Sequence, residues 1–169
     1  MKNSVWIATI IIVAVVGLVV LIFYLALRSK RLDVSMELPF AEVVNKKVTT
    51  KRKVLILKNY TPPVDEKFPF ILEDGSSYGL GTTLEILAEF EAGSEVVIEK
   101  SILLTGGTSG VTTPYLFGRI YSEKNQKEYS FHYTWGNYHF LYQDNPFWTF
   151  PLAFWQDEAI EDKFYLDVP

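Results

Sequence analysis

Glu128-Tyr129-Ser130-Phe131-His132-Tyr133-Thr134-Trp135 alternates without a break, with aromatic rings at the odd positions and polar side chains at the even ones. Successive side chains of a strand point to opposite faces, so this stretch predicts a strand with one buried face. Gly136-Asn137 follows, and then Tyr138, Phe140 and Tyr142 alternate with His139, Leu141 and Gln143. Glycine at the first central position suits a two-residue type II′ turn. The predicted hairpin pairs Trp135 with Tyr138, Tyr133 with Phe140 and Phe131 with Tyr142, which puts seven rings on one face. Each cross-strand aromatic pair contributes roughly 0.2–1 kcal/mol.

Strand patterns recur upstream. Val54-Leu55-Ile56-Leu57 is a compact apolar run that suits a buried strand. Residues 61–82 carry turn formers, among them Pro69, Asp74-Gly75-Ser76-Ser77, Gly79 and Gly81, and predict an irregular stretch. Residues 84–90 alternate as a half-buried strand, with a helix over 82–90 as the alternative, because Leu, Ala and Glu favour it. Ala92-Gly93-Ser94 turns the chain into a long strand from Glu95 to Leu104, rich in β-branched residues. A glycine-rich loop, Gly106-Gly107-Thr108-Ser109-Gly110, precedes a strand from Tyr115 to Tyr121, and Ser122 to Lys127 is a charged turn. Downstream, Gln156 to Lys163 is read as a short acidic helix and Phe164-Tyr165-Leu166 as a last strand. About six short strands with glycine-rich turns predict a mainly β domain, a small barrel or sandwich of SH3-like or OB-like size.

The N-terminus is of another kind. Residues 5–27 carry no charge and are rich in Ile, Val and Leu. As a helix they would extend about 35 Å, enough to cross a hydrocarbon core of roughly 30 Å. Trp6 at one end, with Phe23 and Tyr24 at the other, suits the two interfaces. A cleaved signal peptide is the rival, but its apolar core would be shorter, and Tyr24-Leu25-Ala26-Leu27-Arg28 is a poor cleavage site. The expected organisation is a transmembrane anchor over 1–27, a basic juxtamembrane linker over 28–52 and a mainly β soluble domain over 53–169. Gly17 is the only glycine of the apolar segment, so no GxxxG face supports self-association.

Charge divides the chain. Residues 28–58 hold nine Lys/Arg against three acids, and residues 59–169 hold six against seventeen. A basic neck next to the membrane fits anionic headgroups, with Arg28, Lys30 and Arg31 closest in. The acidic body argues against nucleic acid, whose phosphates need a basic footprint. The basic flank after the apolar segment places the C-terminal domain on the cytoplasmic side by the positive-inside rule, by a small margin. The sequon Asn59-Tyr60-Thr61 is followed directly by Pro62 and shifts that balance little. The chain has no cysteine, which removes disulfides, thiolate catalysis, thiolate metal sites and a lipoprotein anchor.

Four features compete as sites. The glycine-rich loop could present N–H groups to an anion. It lacks the Gly-Lys-Ser/Thr ending of a P-loop, and no nucleophile elbow supports Ser109, so a hairpin loop is the simpler reading. In the predicted register His132 and His139 are diagonal neighbours on the non-aromatic face. Glu128, however, lies about 13 Å along the strand from His132, and no third ligand completes a metal site. Asp157, Glu158, Glu161 and Asp162 form a solvated acidic face. The tail residues Phe147, Trp148, Phe150, Phe154 and Trp155 are many for the irregular end of a small domain to bury, and they are the candidate partner surface, with packing over the open end of the barrel as the alternative of equal weight.

These readings assign no catalytic residue, cofactor or metal. They favour a non-enzymatic, single-pass membrane protein whose β domain binds a protein partner, as a subunit or accessory factor of a membrane complex. One alternative is an outward-facing module for a sugar or cell-envelope polymer, which needs exposed Trp148 and Trp155. Another is an enzyme or metal site built on His132 and His139.

Overall fold

The alternating aromatic stretch lies in the middle of a large sheet. The computed structural model describes residues 2–58, 63–74 and 84–169, without the side chains of 2–5 and 7–9. The strands in chain order are β1 (Lys30–Asp33), β2 (Lys46–Thr49), β3 (Val54–Lys58), β4 (Phe70–Glu73), β5 (Glu85–Phe90), β6 (Glu95–Thr105), β7 (Thr112–Ser122), β8 (Lys127–Thr134), β9 (Asn137–His139) and β10 (Phe147–Thr149). Eight of them form one sheet in the order β1-β6-β7-β8-β4-β3-β5, with β2 also paired to β6. β1 and β2 lie end to end on one edge of β6, opposite residues 102–105 and 95–98. All pairs are antiparallel except β4 with β8, where Phe70 lies opposite Phe131. β9 and β10 form a separate two-stranded ribbon.

One face of the large sheet carries the core. Val54 and Ile56 of β3, Leu72, Phe90, Val96, Ile98, Leu116, Ile120, Tyr129, Phe131 and Tyr133 are buried there together. The alternation of β8 is therefore realised as expected. Residues 85–90 form a strand rather than a helix, and the buried run at Val54 is β3.

Beyond β8 the chain departs from the predicted hairpin. Trp135 N–H donates to the Pro114 carbonyl at 3.2 Å, so the end of β8 stays bound to β7. Gly136 then takes φ +129, and a Cβ there would lie 2.8 Å from Cε1 of Phe150. The Phe150 ring thus fills the space where a side chain at position 136 would sit. β9 pairs instead with β10, with Tyr138 opposite Trp148. Of the seven predicted rings, Tyr129, Phe131, Tyr133 and Trp135 share the core face and Tyr138 packs against it, while Phe140 and Tyr142 are exposed.

The sheet also reaches back into the basic segment. Besides β1 and β2, residues 28–52 contain a 3-10 turn, Phe40–Glu42, that buries Phe40 completely. Phe40 stands edge-on to Trp135 at 5.7 Å and to Phe150 at 5.3 Å. The structure holds more strands than the six expected, because the short ones lack an alternating pattern of their own. No helix forms over 156–163, and Phe164 makes only an isolated bridge to Trp148. The sequon at Asn59 and the turn residues from Gly75 to Gly81 lie outside the described residues.

The N-terminal helix, α1 (Lys2–Ala26), has 25 residues. Among the described residues no helix is long and apolar enough to cross a membrane.

Replacing Phe40 by Ala should remove about 3–5 kcal/mol of stability, the usual cost of emptying a buried Phe site. Urea unfolding of the full chain in detergent micelles, followed by tryptophan fluorescence, measures the loss.

Candidate functional site

Four strand ends meet at one end of the sheet. Lys30 of β1 pairs with Thr105 of β6, Thr105 pairs with Thr112 of β7, and Tyr115 of β7 pairs with Thr134 of β8. Only residues 27–29 separate α1 from β1, so the helix arrives at this same end. The glycine-rich loop lies against the helix terminus. A Cβ at Gly107 would collide with the Leu27 carbonyl, so the backbones approach as closely as only glycine allows.

The loop satisfies itself. Gly110 N–H donates to the Gly106 carbonyl at 2.8 Å, Gly106 N–H to the Val111 carbonyl at 3.0 Å, and Val111 N–H to Ser109 Oγ at 3.2 Å. Three amides that an anion cradle would need are thus already used. Beside the loop lies an open groove of about 640 Å³, lined among others by Val111, Pro114, Thr134, Tyr138, Phe140 and Val168. The groove is formed by the bend at Gly136, which turns β9 across the end of β7. A sequence reading that folds 138–142 back along β8 has no place for it.

The two histidines are not neighbours in any register. His132 is buried on the face of the sheet opposite the main core, where Phe68, Ile102 and Phe117 form a second apolar cluster. Its ring lies 5.7 Å from that of Tyr115. Nδ1 is 3.0 Å from the Phe68 carbonyl. A carbonyl can only accept, so Nδ1 carries the proton in the neutral ring. Burial pulls the His132 pKa below its ordinary value, against the opposing effect of the Phe68 bond. His139 is exposed on β9, hydrogen-bonded through Nε2 to Thr149 Oγ1 at 2.8 Å and stacked on Phe147 at 4.9 Å. Glu128 is engaged by Arg119 at 3.3 Å. The proposed pairing of His132 with His139 is therefore corrected: they belong to different sheets. Among the described residues no group of three or more His, Cys, Asp or Glu could hold a metal ion.

The aromatic tail is core. Trp148, Phe150 and Phe154 are at most 2% exposed, whereas Phe147 and Trp155 are half-buried. Phe154 and Trp155 pack on Tyr133 at 5.2 and 6.0 Å. Trp148 stacks on Tyr138 at 4.7 Å. Of the two readings of the tail, packing over the end of the sheet is the one realised. The tail fits because the N-terminal segment supplies Phe40 as a facing ring. Lys163 stands 4.2 Å over the Phe147 ring. In the acidic run, Asp157 pairs with Lys51 at 2.8 Å, and Glu158, Glu161 and Asp162 are exposed.

Arg28, Lys30 and Arg31 are all exposed at the α1 end. Arg31 donates from Nη2 to the Val64 carbonyl at 2.9 Å, which orients the side chain without covering it.

No protein-family model matches the chain, and no solved structure matches it. One curated relative, glutamate-1-semialdehyde 2,1-aminomutase of Fusobacterium nucleatum subsp. nucleatum, is 40% identical over 73 residues. That stretch is 43% of this chain and 17% of the relative. A match to so small a part of the aminomutase carries neither its reaction to this chain nor the exclusion of one.

His132 gives this region a pH signature. Its folded pKa lies below the unfolded value near 6.5, so the unfolded chain takes up the proton first. The stability contribution is complete above pH 6.5 and declines as the pH falls towards the folded pKa, by at most about 1.4 kcal/mol per pH unit. Unfolding midpoints of wild type should fall between pH 7 and 5.5, and His132→Leu should flatten that slope.

Proposed function

We propose that this is a single-pass membrane protein in which α1 is the anchor and the β body is a non-catalytic module that binds a protein partner. The observation that supports it is the state of α1. Its described large apolar side chains from Ile10 to Leu25 are 45% or more exposed, on every side of the helix. Among the described residues nothing in the β body packs against them, and a helix apolar all round needs a surrounding apolar phase. The uncharged run of residues 5–27 would extend about 35 Å as a helix, against a hydrocarbon core of roughly 30 Å. Lys2 and Arg28 flank the charge-free segment.

A protein partner is favoured over a sugar polymer by the burial of Trp148, which leaves Trp155 without the second exposed indole a sugar platform would use. The basic flank at Arg28, Lys30 and Arg31 favours a body on the cytoplasmic side, where it would act as a subunit or accessory factor of a membrane complex.

Alkaline carbonate extraction of membranes that contain the tagged full chain tests the anchor. The chain should stay in the membrane pellet, and deletion of residues 2–26 should release the body into the supernatant. Recovery of the full chain in the supernatant would overturn the reading. Protease treatment of sealed vesicles of known orientation then reports the side.

A further inference from the structure

We propose that the end of the sheet carrying loop 106–111 and loop 140–146 lies on the membrane surface, with Val111, Phe140, Leu141 and Tyr142 inserted among the lipids. The inference rests on the reading of α1 as an anchor and adds to it an orientation of the body and a lipid-binding face.

Connectivity sets the distance. The linker of residues 27–29 spans at most about 10 Å even when extended. It ends at Lys30, which is fixed to Thr105 by the β1–β6 ladder. Loop 106–111 follows directly and touches the Leu27 backbone through Gly107. The end of the sheet therefore cannot stand clear of whatever surface the helix leaves.

The side chains there suit lipid. Val111 is 61% exposed, Phe140 54%, Leu141 65% and Tyr142 fully exposed. Val111 and Phe140 both line the groove beside the glycine-rich loop. An exposed apolar group set next to a bilayer gains from insertion at the headgroup boundary, as the apolar face of an interfacial helix does. Arg28, Lys30 and Arg31 surround the same end and meet anionic headgroups. Asp144, in loop 140–146, is the opposing charge and lies beyond the apolar triplet.

The opposite end is built differently. There the turns at 91–94 and 123–126 and the strand ends beside them carry mixed charge, with exposed Glu91, Glu95 and Glu123 beside exposed Lys47, Lys51, Lys124 and Lys127. The cluster of exposed large apolar side chains thus lies at the end to which the helix is joined. A protein segment in the groove would account for Phe140 and Val111. It would not account for Leu141 and Tyr142, which project from the loop tip, nor for the basic trio beside them.

The chain has no cysteine, so single-cysteine probes can be placed freely. Full-length Val16→Cys, Leu141→Cys and Ala92→Cys, each carrying an environment-sensitive fluorophore, are reconstituted into vesicles of neutral and anionic phospholipid with nitroxide-labelled lipids as quenchers. We expect blue-shifted emission and quenching at 16 and 141 but neither at 92, with stronger quenching at 141 when anionic lipid is present. Quenching at 16 with position 141 behaving like 92 would overturn this inference and leave the anchor intact. That is also the outcome a protein occupant of the groove predicts, since the vesicles hold no partner. Loss of quenching at 16 would overturn the anchor and this inference together. Equal quenching at 141 in neutral and anionic vesicles would remove Arg28, Lys30 and Arg31 from the proposal.

Discussion

Burial of the Trp135 ring ties together three parts of the chain that are far apart in sequence. The indole stands at the end of β8 with Phe40 at 5.7 Å, Phe150 at 4.7 Å and Trp155 at 4.9 Å. Its Nε1 donates to the Pro151 carbonyl at 2.8 Å, so the one polar atom of the ring is satisfied while the rest is dry. The N-terminal segment supplies one wall and the tail supplies the others. Aromatic rings packed edge-to-face contribute beyond the area they bury, and here each ring is also the reason another segment is ordered. The bend at Gly136 follows from the same packing, since Phe150 fills the space where a side chain at that position would sit. The groove at the α1 end follows from the bend.

The sheet is covered on both faces where β6, β7 and β8 lie side by side. Residues 63–69 cross the second face and bring Phe68 onto Phe117 at 5.0 Å. Lys100 closes this cluster, with its ammonium 4.6 Å above the Phe117 ring and 2.7 Å from Asp65. Hydrogen bonding to Lys100 holds the Asp65 carboxyl below its ordinary pKa. His132 is enclosed as part of this second layer. Its Nδ1 is hydrogen-bonded to the Phe68 carbonyl, and its ring packs against Tyr115 and Phe117.

Taken together, the two ends of the sheet have different chemistry. The end at α1 collects the basic trio, the glycine contact and the exposed apolar loop, whereas the far end carries exposed acids and lysines together. The difference between the two ends lies in the exposed apolar loop. It gives the body a direction relative to the helix even though the helix makes little contact with it.

Period and composition settled in advance the features that are local. The alternation of β8, the apolar run of β3, the long β6 and the turn at 122–127 can be read directly, because a strand with one buried face must alternate and a loop must carry residues that tolerate a turn. The apolar stretch ending at Leu27 and the basic flank after it were equally legible. Only the tertiary structure decided the rest. A tail with two prolines and five large rings looks the same in sequence whether it is exposed or buried. The difference lay in Phe40, a hundred residues away, whose burial requires the fold to exist first. His132 sits at a polar position of an alternating strand, yet residues 63–69 cover it, because a sheet's second face is solvated only if no other segment crosses it. β1, β2 and β10 are three or four residues long, too short to show a period, and they are strands because β6 and β9 offer them free hydrogen-bonding edges.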